Sequence, residues 1–493
     1  MKAAPLLRVL GLGALVFGLT WLGAVAYWRA AGAEVTAGRL VAWLLVLPLL
    51  LLGVVLGGRA LLRRRRTAGA AGKNEAPPVA AAASGPRRPL LIHSTATWTR
   101  LGTDPAALAD ALARPTRPPL HPDLRDSMGL PVFAAGIEEA DPGSVAHVLA
   151  AGPGGLRNAA PLHALRALAL LDPVAEALLL AARALDAAEA PPRTAAGTAD
   201  GLHPHAMHHS RSAQSQAETP WAPPLQVHLL LPASWAPTLH EAAVARVVAL
   251  AGTAGLGGDR VAVQLHSVAE AGQCWHLLDR LAAADPEPGA RHLLLATDSM
   301  LDPRVIAQLE AQGALLVSGH PEGRIPGEAA AGLLLTPAGD SADPDRPLRL
   351  HACCHAPASR GRAAAADSAR LLRTALEAAT LQAGPDILVF TDADHRPSRA
   401  VEAAGAITGA LPESDPVEVA RHLGIACGDT GIAAPLVLLA AAAAQVRQAG
   451  APMLVLALAG DTRRTALALS AAPEAAGHSA AVADPSIAEA VTA

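Results

Sequence analysis

Residues 9–28 contain no formally charged side chain, and residues 40–58 repeat the pattern. At about 1.5 Å of rise per residue, each run taken as a helix comes close to the ~30 Å of hydrocarbon in a bilayer. The two runs therefore predict a two-helix transmembrane hairpin over residues 1–66. A cleaved secretory signal is the competing reading of the first run. It is disfavoured because Tyr27-Trp28-Arg29 lacks a small-residue cleavage signature and a second apolar run follows at once. Positive charge sets the orientation. Lys2 and Arg8 precede the first run, Arg59 and Arg63 to Arg66 follow the second, and the connection offers Arg29 and Arg39 against Glu34. Both ends are thus expected in the cytosol, which places the chain in a bacterial inner membrane. Trp21, Tyr27, Trp28 and Trp43 lie at or near span ends, where interfacial aromatics are favoured. With no charge inside either run, the hairpin reads as an anchor rather than an ion pathway.

Residues 67–88 are rich in Ala, Gly and Pro and read as a flexible linker. A folded domain is expected over residues 89–493, too long for one ordinary domain unless it is a large duplicated α/β unit. Its composition, 52% hydrophobic and 17% charged over the whole chain, suits a large core packed by Leu, Val and Ala. A net charge of −4 gives no electrostatic footprint for nucleic acid. The four cysteines, Cys274, Cys353, Cys354 and Cys427, are too few and too irregular for a disulfide framework. His351-Ala-Cys353-Cys354-His355 lacks a second ligand pair at finger-like spacing, and His203, His205, His208 and His209 sit in a polar insertion at about 190–222. Neither a metal nor a cofactor is expected.

Strand-type runs recur at residues 90–93, 226–231, 261–265, 292–296, 332–335, 387–390, 453–458 and 465–469. Helical periodicity fills residues 172–188, 238–251, 274–284, 302–312, 367–381, 399–408, 416–423 and 431–449. This alternation predicts an α/β domain with mostly buried strands. Asp172-Pro173 and Asp302-Pro303 each match an acidic N-cap followed by proline at the first helical position.

Particular residues then carry a resemblance. Ser94-Thr-Ala-Thr-Trp-Thr-Arg-Leu-Gly102 followed by Gly129-Leu-Pro-Val-Phe-Ala-Ala-Gly136 looks like an opening block. Asp298-Ser-Met-Leu-Asp-Pro303, Gly313-Ala-Leu-Leu316 and Gly323-Arg-Ile-Pro-Gly-Glu328-Ala-Ala-Ala-Gly332 form the clearest match, and Gly428-Asp-Thr-Gly-Ile-Ala-Ala434 opens a Leu/Ala helix. Together these resemble the β-ketoacyl synthases of the thiolase-like superfamily, across nearly all of residues 89–470. The resemblance implies a duplicated thiolase-like fold, usually a homodimer, acting on thioester-linked acyl chains. It also implies a cysteine nucleophile at a helix N-terminus and two assisting histidines.

The nucleophile position falls in Ala271-Gly-Gln-Cys-Trp-His276, where Cys274 is available but Trp275 and His276 replace the small residues of the family. Gln273 resembles the glutamine that chain-length-factor subunits carry in place of cysteine. The first histidine loop corresponds to Thr391-Asp-Ala-Asp-His-Arg-Pro-Ser-Arg399, with His395 nearby, and the second histidine falls on Asp429. A carboxylate there repels a developing enolate, although an aspartate before Thr430 is also an ordinary helix cap. Near Gly424 the family's lysine is missing, and its closing loop reads Gly460-Asp-Thr-Arg-Arg464. Glu328 is structural in the family. The resemblance so modified implies a membrane-tethered, non-catalytic ketosynthase-like protein binding a protein partner or acyl group, such as an accessory to a bacterial secretion system. The alternatives are an active acyltransferase or condensing enzyme using Cys274 with His276 or His395 as base, and a chain-length-factor-like subunit paired with a ketosynthase or acyl-carrier partner.

Overall fold

The computed structural model describes residues 21–22, 87–151, 160–189, 223–285, 287, 289–338, 347–359, 361–460 and 462–472. The predicted hairpin over 1–66, nearly all of the linker 67–88 and the polar insertion at 190–222 lie outside the described residues; Trp21 and Leu22 are helical and exposed. The chain divides into two compact units, Met1–Ser84 and Gly85–Ala493.

The second unit opens with β1 (Leu90–Trp98), α1 (Pro105–Ala111), β2 (Leu120–Arg125), β3 (Pro131–Phe133), α2 (Pro142–Ala151) and α3 (Leu162–Glu189). It continues through β4 (Leu225–Pro232), α4 (Pro237–Thr253), β5 (Val261–Val268), α5 (Gly272–Ala283), β6 (His292–Ser299), α6 (Pro303–Ala311) and β7 (Glu328–Pro337). A second series follows: β8 (Leu348–Leu350), β9 (Cys354–Pro357), α7 (Arg362–Ala378), β10 (Val389–Thr391), α8 (Pro397–Ala410), α9 (Pro416–Val419) and β11 (Ala420–His422). It closes with α10 (Leu423–Cys427), a 3-10 turn (Gly431–Ala433), α11 (Ala434–Ala449), β12 (Met453–Ala457) and β13 (Arg463–Ala471).

The main sheet runs β11-β10-β12-β13-β8-β1-β7-β6-β4-β5, with β9 also paired to β13. Its two flanks repeat one another outward from the antiparallel β1–β8 junction. On each side the first strand pairs antiparallel with the last (β1–β7, β8–β13), and the last pairs antiparallel with the strand before it in the chain (β7–β6, β13–β12). Two parallel neighbours follow (β6–β4–β5, β12–β10–β11). The duplicated α/β unit expected from the sequence is thus present in the hydrogen-bond register.

Strand alternation sorts the core into layers. Leu293 and Leu295 of β6 join an outer cluster with α3 and α4, whereas Leu294 and Ala296 face an inner cluster. In the second half Leu454 and Leu456 pack outward on α7 and α8, and Met453, Val455 and Ala457 pack inward. The inner cluster is filled by α5 and α11, so the order is helix, strand, helix, strand, helix. Residues 431–449 make a helix long and apolar enough to cross a membrane, yet Leu436 to Ala443 have no exposed surface. It is the core helix of this central layer.

Two local expectations resolve in opposite ways. Asp302 does cap α6, accepting from the Arg304 amide at 2.8 Å, with Pro303 at the first turn. Asp172-Pro173 does not start a helix: α3 begins at Leu162 and runs through Pro173. Proline lacks the amide for one intrahelical bond, and burial of Leu168, Leu170, Leu171 and Val174 at 2% exposure or less outweighs that loss. Asp172 instead forms an ion pair with Arg246 of α4. The helix expected over 416–423 stops at Val419, because Ala420–His422 joins β10 as an edge strand.

Glu328 begins β7 fully buried. Its Oε1 accepts from the Ile137 amide at 2.8 Å and from Arg166 Nη2 at 2.5 Å, and its Oε2 accepts from Arg166 Nε at 2.8 Å and the Ser299 hydroxyl at 2.7 Å. Removing one member of a buried ion pair costs about 3–5 kcal/mol. Glu328→Ala is therefore expected to lower the unfolding free energy by an amount of that order in a denaturant titration, whereas an exposed control such as Glu139→Ala leaves it nearly unchanged.

Candidate functional site

The site expected from the resemblance begins at the N-terminus of α5, which follows β5 and starts at Gly272 with Ala271 as its cap. The exposed residues there are Ala269, Glu270 and Gln273, and the Gln273 side chain accepts the Ala269 amide at 2.8 Å. Cys274 points the other way. It has no exposed surface, lies in the inner cluster with Trp275, Leu277, Leu278 and Cys353, and burial pushes its thiol up to about 12. A thiol in that state carries almost no thiolate at neutral pH. Cys427 is likewise buried and pushed up to about 12, and burial also raises Cys353 and Cys354.

Asp429 sits where two halves of the fold meet. Its amide donates to the Ile325 carbonyl at 2.8 Å and its carbonyl accepts from the Gly327 amide at 3.0 Å. A Cβ at residue 327 would collide with the Cys427 carbonyl, which explains the glycine of the Pro-Gly-Glu block. The Asp429 carboxylate accepts from Arg324 Nη1 at 3.0 Å and from the Gly431 amide at 3.0 Å. It therefore caps the turn leading into α11 while pairing with a guanidinium. Beside it, Asp298 accepts from the amides of Ser299 at 2.9 Å and Ile432 at 3.1 Å. Gly431, at φ +58°, leaves the space that the Asp298 carboxylate fills. Desolvation, with the nearby Asp429 charge adding to it, pushes Asp298 up to about 7.

The loop after β10 is held just as firmly. Asp392 accepts the Leu458 amide at 2.5 Å and the Ala459 amide at 3.1 Å, and burial pushes it up to about 6. His395 lies three residues on, with both ring nitrogens shielded from solvent and its pKa lowered chiefly by desolvation. The closing loop is pinned from its other end by Arg464, which meets the buried Glu402 through Nε at 2.6 Å and Nη2 at 3.1 Å. Arg399 and Ser368 complete the shell of Glu402 at 3.1 Å each.

Among the described residues no hydrogen bond joins Cys274, His395 and Asp429 to one another. The fold brings together a different set: Asp298 with Asp429 and Arg324, and Asp392 with the Leu458–Ala459 backbone. Asp298 opens the clearest block of the resemblance and Asp392 lies in the stretch matched to the first histidine loop, but nothing in the sequence singles out either as a site residue. Their burial depends on loops far away in the chain.

An acid whose folded pKa lies above its ordinary value favours the fold while protonated. Asp298 thus supplies stability that is complete below about pH 4 and lost as pH rises through about 7. Asp298→Asn is expected to show a smaller fall, or larger rise, in thermal midpoint than the wild type between pH 5 and pH 8. Parallel pH curves for the two proteins would refute this.

No protein-family model matches the sequence, and no curated protein matches it. Solved structures do. The ketosynthase from module 6 of the bacillaene synthase from Bacillus subtilis 168 matches over 78% of this chain and 72% of its own, at 12% identity and a TM-score of 0.50. The ishigamide ketosynthase/chain length factor matches over 78% of this chain and 100% of its own, at 14% identity and a TM-score of 0.48. A β-ketoacyl synthase from Burkholderia phymatum STM815 matches over 78% and 100%, at 12% identity and a TM-score of 0.48. At these identities the first likeness bears on architecture alone, and the described residues from 87 to 472 have the duplicated α/β fold of the ketosynthases.

Proposed function

We propose that this protein is a membrane-tethered, non-catalytic ketosynthase-like protein that binds a protein partner or an acyl group. The observation that carries this reading is the use to which the inherited catalytic positions are put. Cys274 is buried with its thiol pushed up to about 12, Asp429 caps a turn and pairs with Arg324, and His395 has both ring nitrogens shielded from solvent. Asp429 is engaged in holding the fold, and Cys274 and His395 are shielded from solvent, which supports reading none of them as poised to attack a thioester or stabilise an enolate. Accessory service to a bacterial secretion system is one role open to such a protein.

A second reading, a chain-length-factor-like subunit of a ketosynthase pair, is favoured by one feature. Gln273, not Cys274, is the exposed side chain in the first turn of α5. Pairing with an active ketosynthase or with a second copy would use the free edge of β5, where Gln264 and Leu265 are exposed. Purification of the protein only as homodimers from cells expressing its neighbouring genes would eliminate the heterodimer.

Full-length protein incubated with radiolabelled acyl thioesters at neutral pH is expected to acquire no covalent label, and Cys274→Ala is expected to behave identically. A label on the wild type that the variant loses would overturn the non-catalytic reading. The two apolar runs and their flanking arginines support an inner-membrane anchor with both termini cytosolic. Alkaline phosphatase fused after Ala493 is then expected to stay inactive, and periplasmic activity would refute that orientation.

A further inference from the structure

Three side chains outside the inherited catalytic positions converge where α5 meets the β9–β13 pair. His276 and Asp279 share one face of α5, three residues apart, and His355 reaches them from β9. One ligand atom from each can be chosen so that all three lie within 4.8 Å of one another. We propose that His276, Asp279 and His355 form a binding site for a divalent transition metal of the zinc class.

The donor set fits that chemistry. Two imidazoles and a carboxylate are zinc ligands at about 2.0–2.2 Å, and three protein ligands leave a fourth position for water or an anion. The supporting shell is already built. His355 Nδ1 lies 2.9 Å from Thr465 Oγ1, its cross-strand neighbour, which fixes the ring so that Nε2 points at Asp279 Oδ2, 2.5 Å away. Such outer-shell bonds orient metal-binding histidines. The other carboxylate oxygen, Asp279 Oδ1, is buried and accepts no hydrogen bond; its nearest cation is Arg87 Nη1 at 3.6 Å. A buried acceptor of this kind is costly unless a cation serves it.

His276 contributes a lone pair. Its Nε2 lies 3.2 Å from Arg463 Nη1, so that nitrogen faces a donor with its lone pair. The two imidazoles lie with centroids 5.4 Å apart and their planes inclined at 43°. Arg463 is exposed, and an exposed contact of this type is worth little, so its side chain can be displaced. Opening the His355–Asp279 contact to tetrahedral ligand spacing takes about 1 Å, within the reach of rotamer adjustment. Cys354 is not a ligand, since it packs with Ala356 against the outer cluster of the second half. A bound ion would clamp α5 to β9, joining the two halves of the fold.

Full-length protein carrying a histidine-free affinity tag would be titrated with Co2+ and then Zn2+, in parallel with His276→Ala, Asp279→Asn, His355→Gln and a His208→Ala/His209→Ala control. The wild type and the control are expected to bind one Co2+ per chain with tetrahedral d–d absorption that Zn2+ abolishes. Each site variant is expected to lose that band, with affinity falling at least tenfold, while circular dichroism shows it folded. Zinc is also expected to raise the thermal midpoint of the wild type and not of Asp279→Asn. Absence of a d–d band in the wild type, a band retained in all three site variants, or a band lost in the control would each overturn the proposal.

Discussion

The Glu328–Arg166 pair is the interaction on which the arrangement around the candidate site rests. A carboxylate without solvent needs its lone pairs filled, and Glu328 finds four donors from three elements: the segment before α2, α3 and the end of β6. Satisfying them fixes where β7 starts. That start in turn places Gly327 against the Cys427–Asp429 backbone, the main-chain seam between the two halves. An apolar residue at 328 would leave the half-buried Arg166 without its carboxylate and with only the Ile137 carbonyl as acceptor, so the pair constrains sequence even where it adds little net stability.

Around this node the second half uses the same device. Glu402 with Arg464, Arg399 and Ser368, and Asp392 with the Leu458 and Ala459 amides, tie together the two loops that the ketosynthase resemblance marks for chemistry. Here the charged groups are spent on one another and on the backbone, and the cysteine nearest the expected nucleophile is packed into the core. The fold is kept by apolar layers on either side of β6 and β12, which do not depend on the identity of the residues at the loop tips.

Much of this architecture was legible in the chain because strands and helices are local patterns. The apolar runs at 226–231, 261–265 and 292–296 each fall inside a strand, the 453–458 run fills β12 and ends one residue beyond it, and the 431–449 run became the central helix with its 3-10 entry. Asp302-Pro303 capped a helix as its chemistry requires. Asp172-Pro173 carries the same local signal and did not, since the apolar residues around Pro173 are buried on both sides of it. The short strands β8, β9 and β11 left no run to find. They are strands because a neighbour offers them hydrogen bonds.

The chain alone set the α/β alternation and the excess of apolar residues that fills the layers. Those follow from residue identity and spacing. Folding decided the rest through distant contacts: that Cys274 faces inward while Gln273 faces out, that Asp298 is desolvated beside a loop of the other half and Asp392 beside the β12–β13 loop of its own, and that His355 meets His276 and Asp279. Burial and long-range approach depend on how layers stack, and no window of sequence contains both sides of a packed interface.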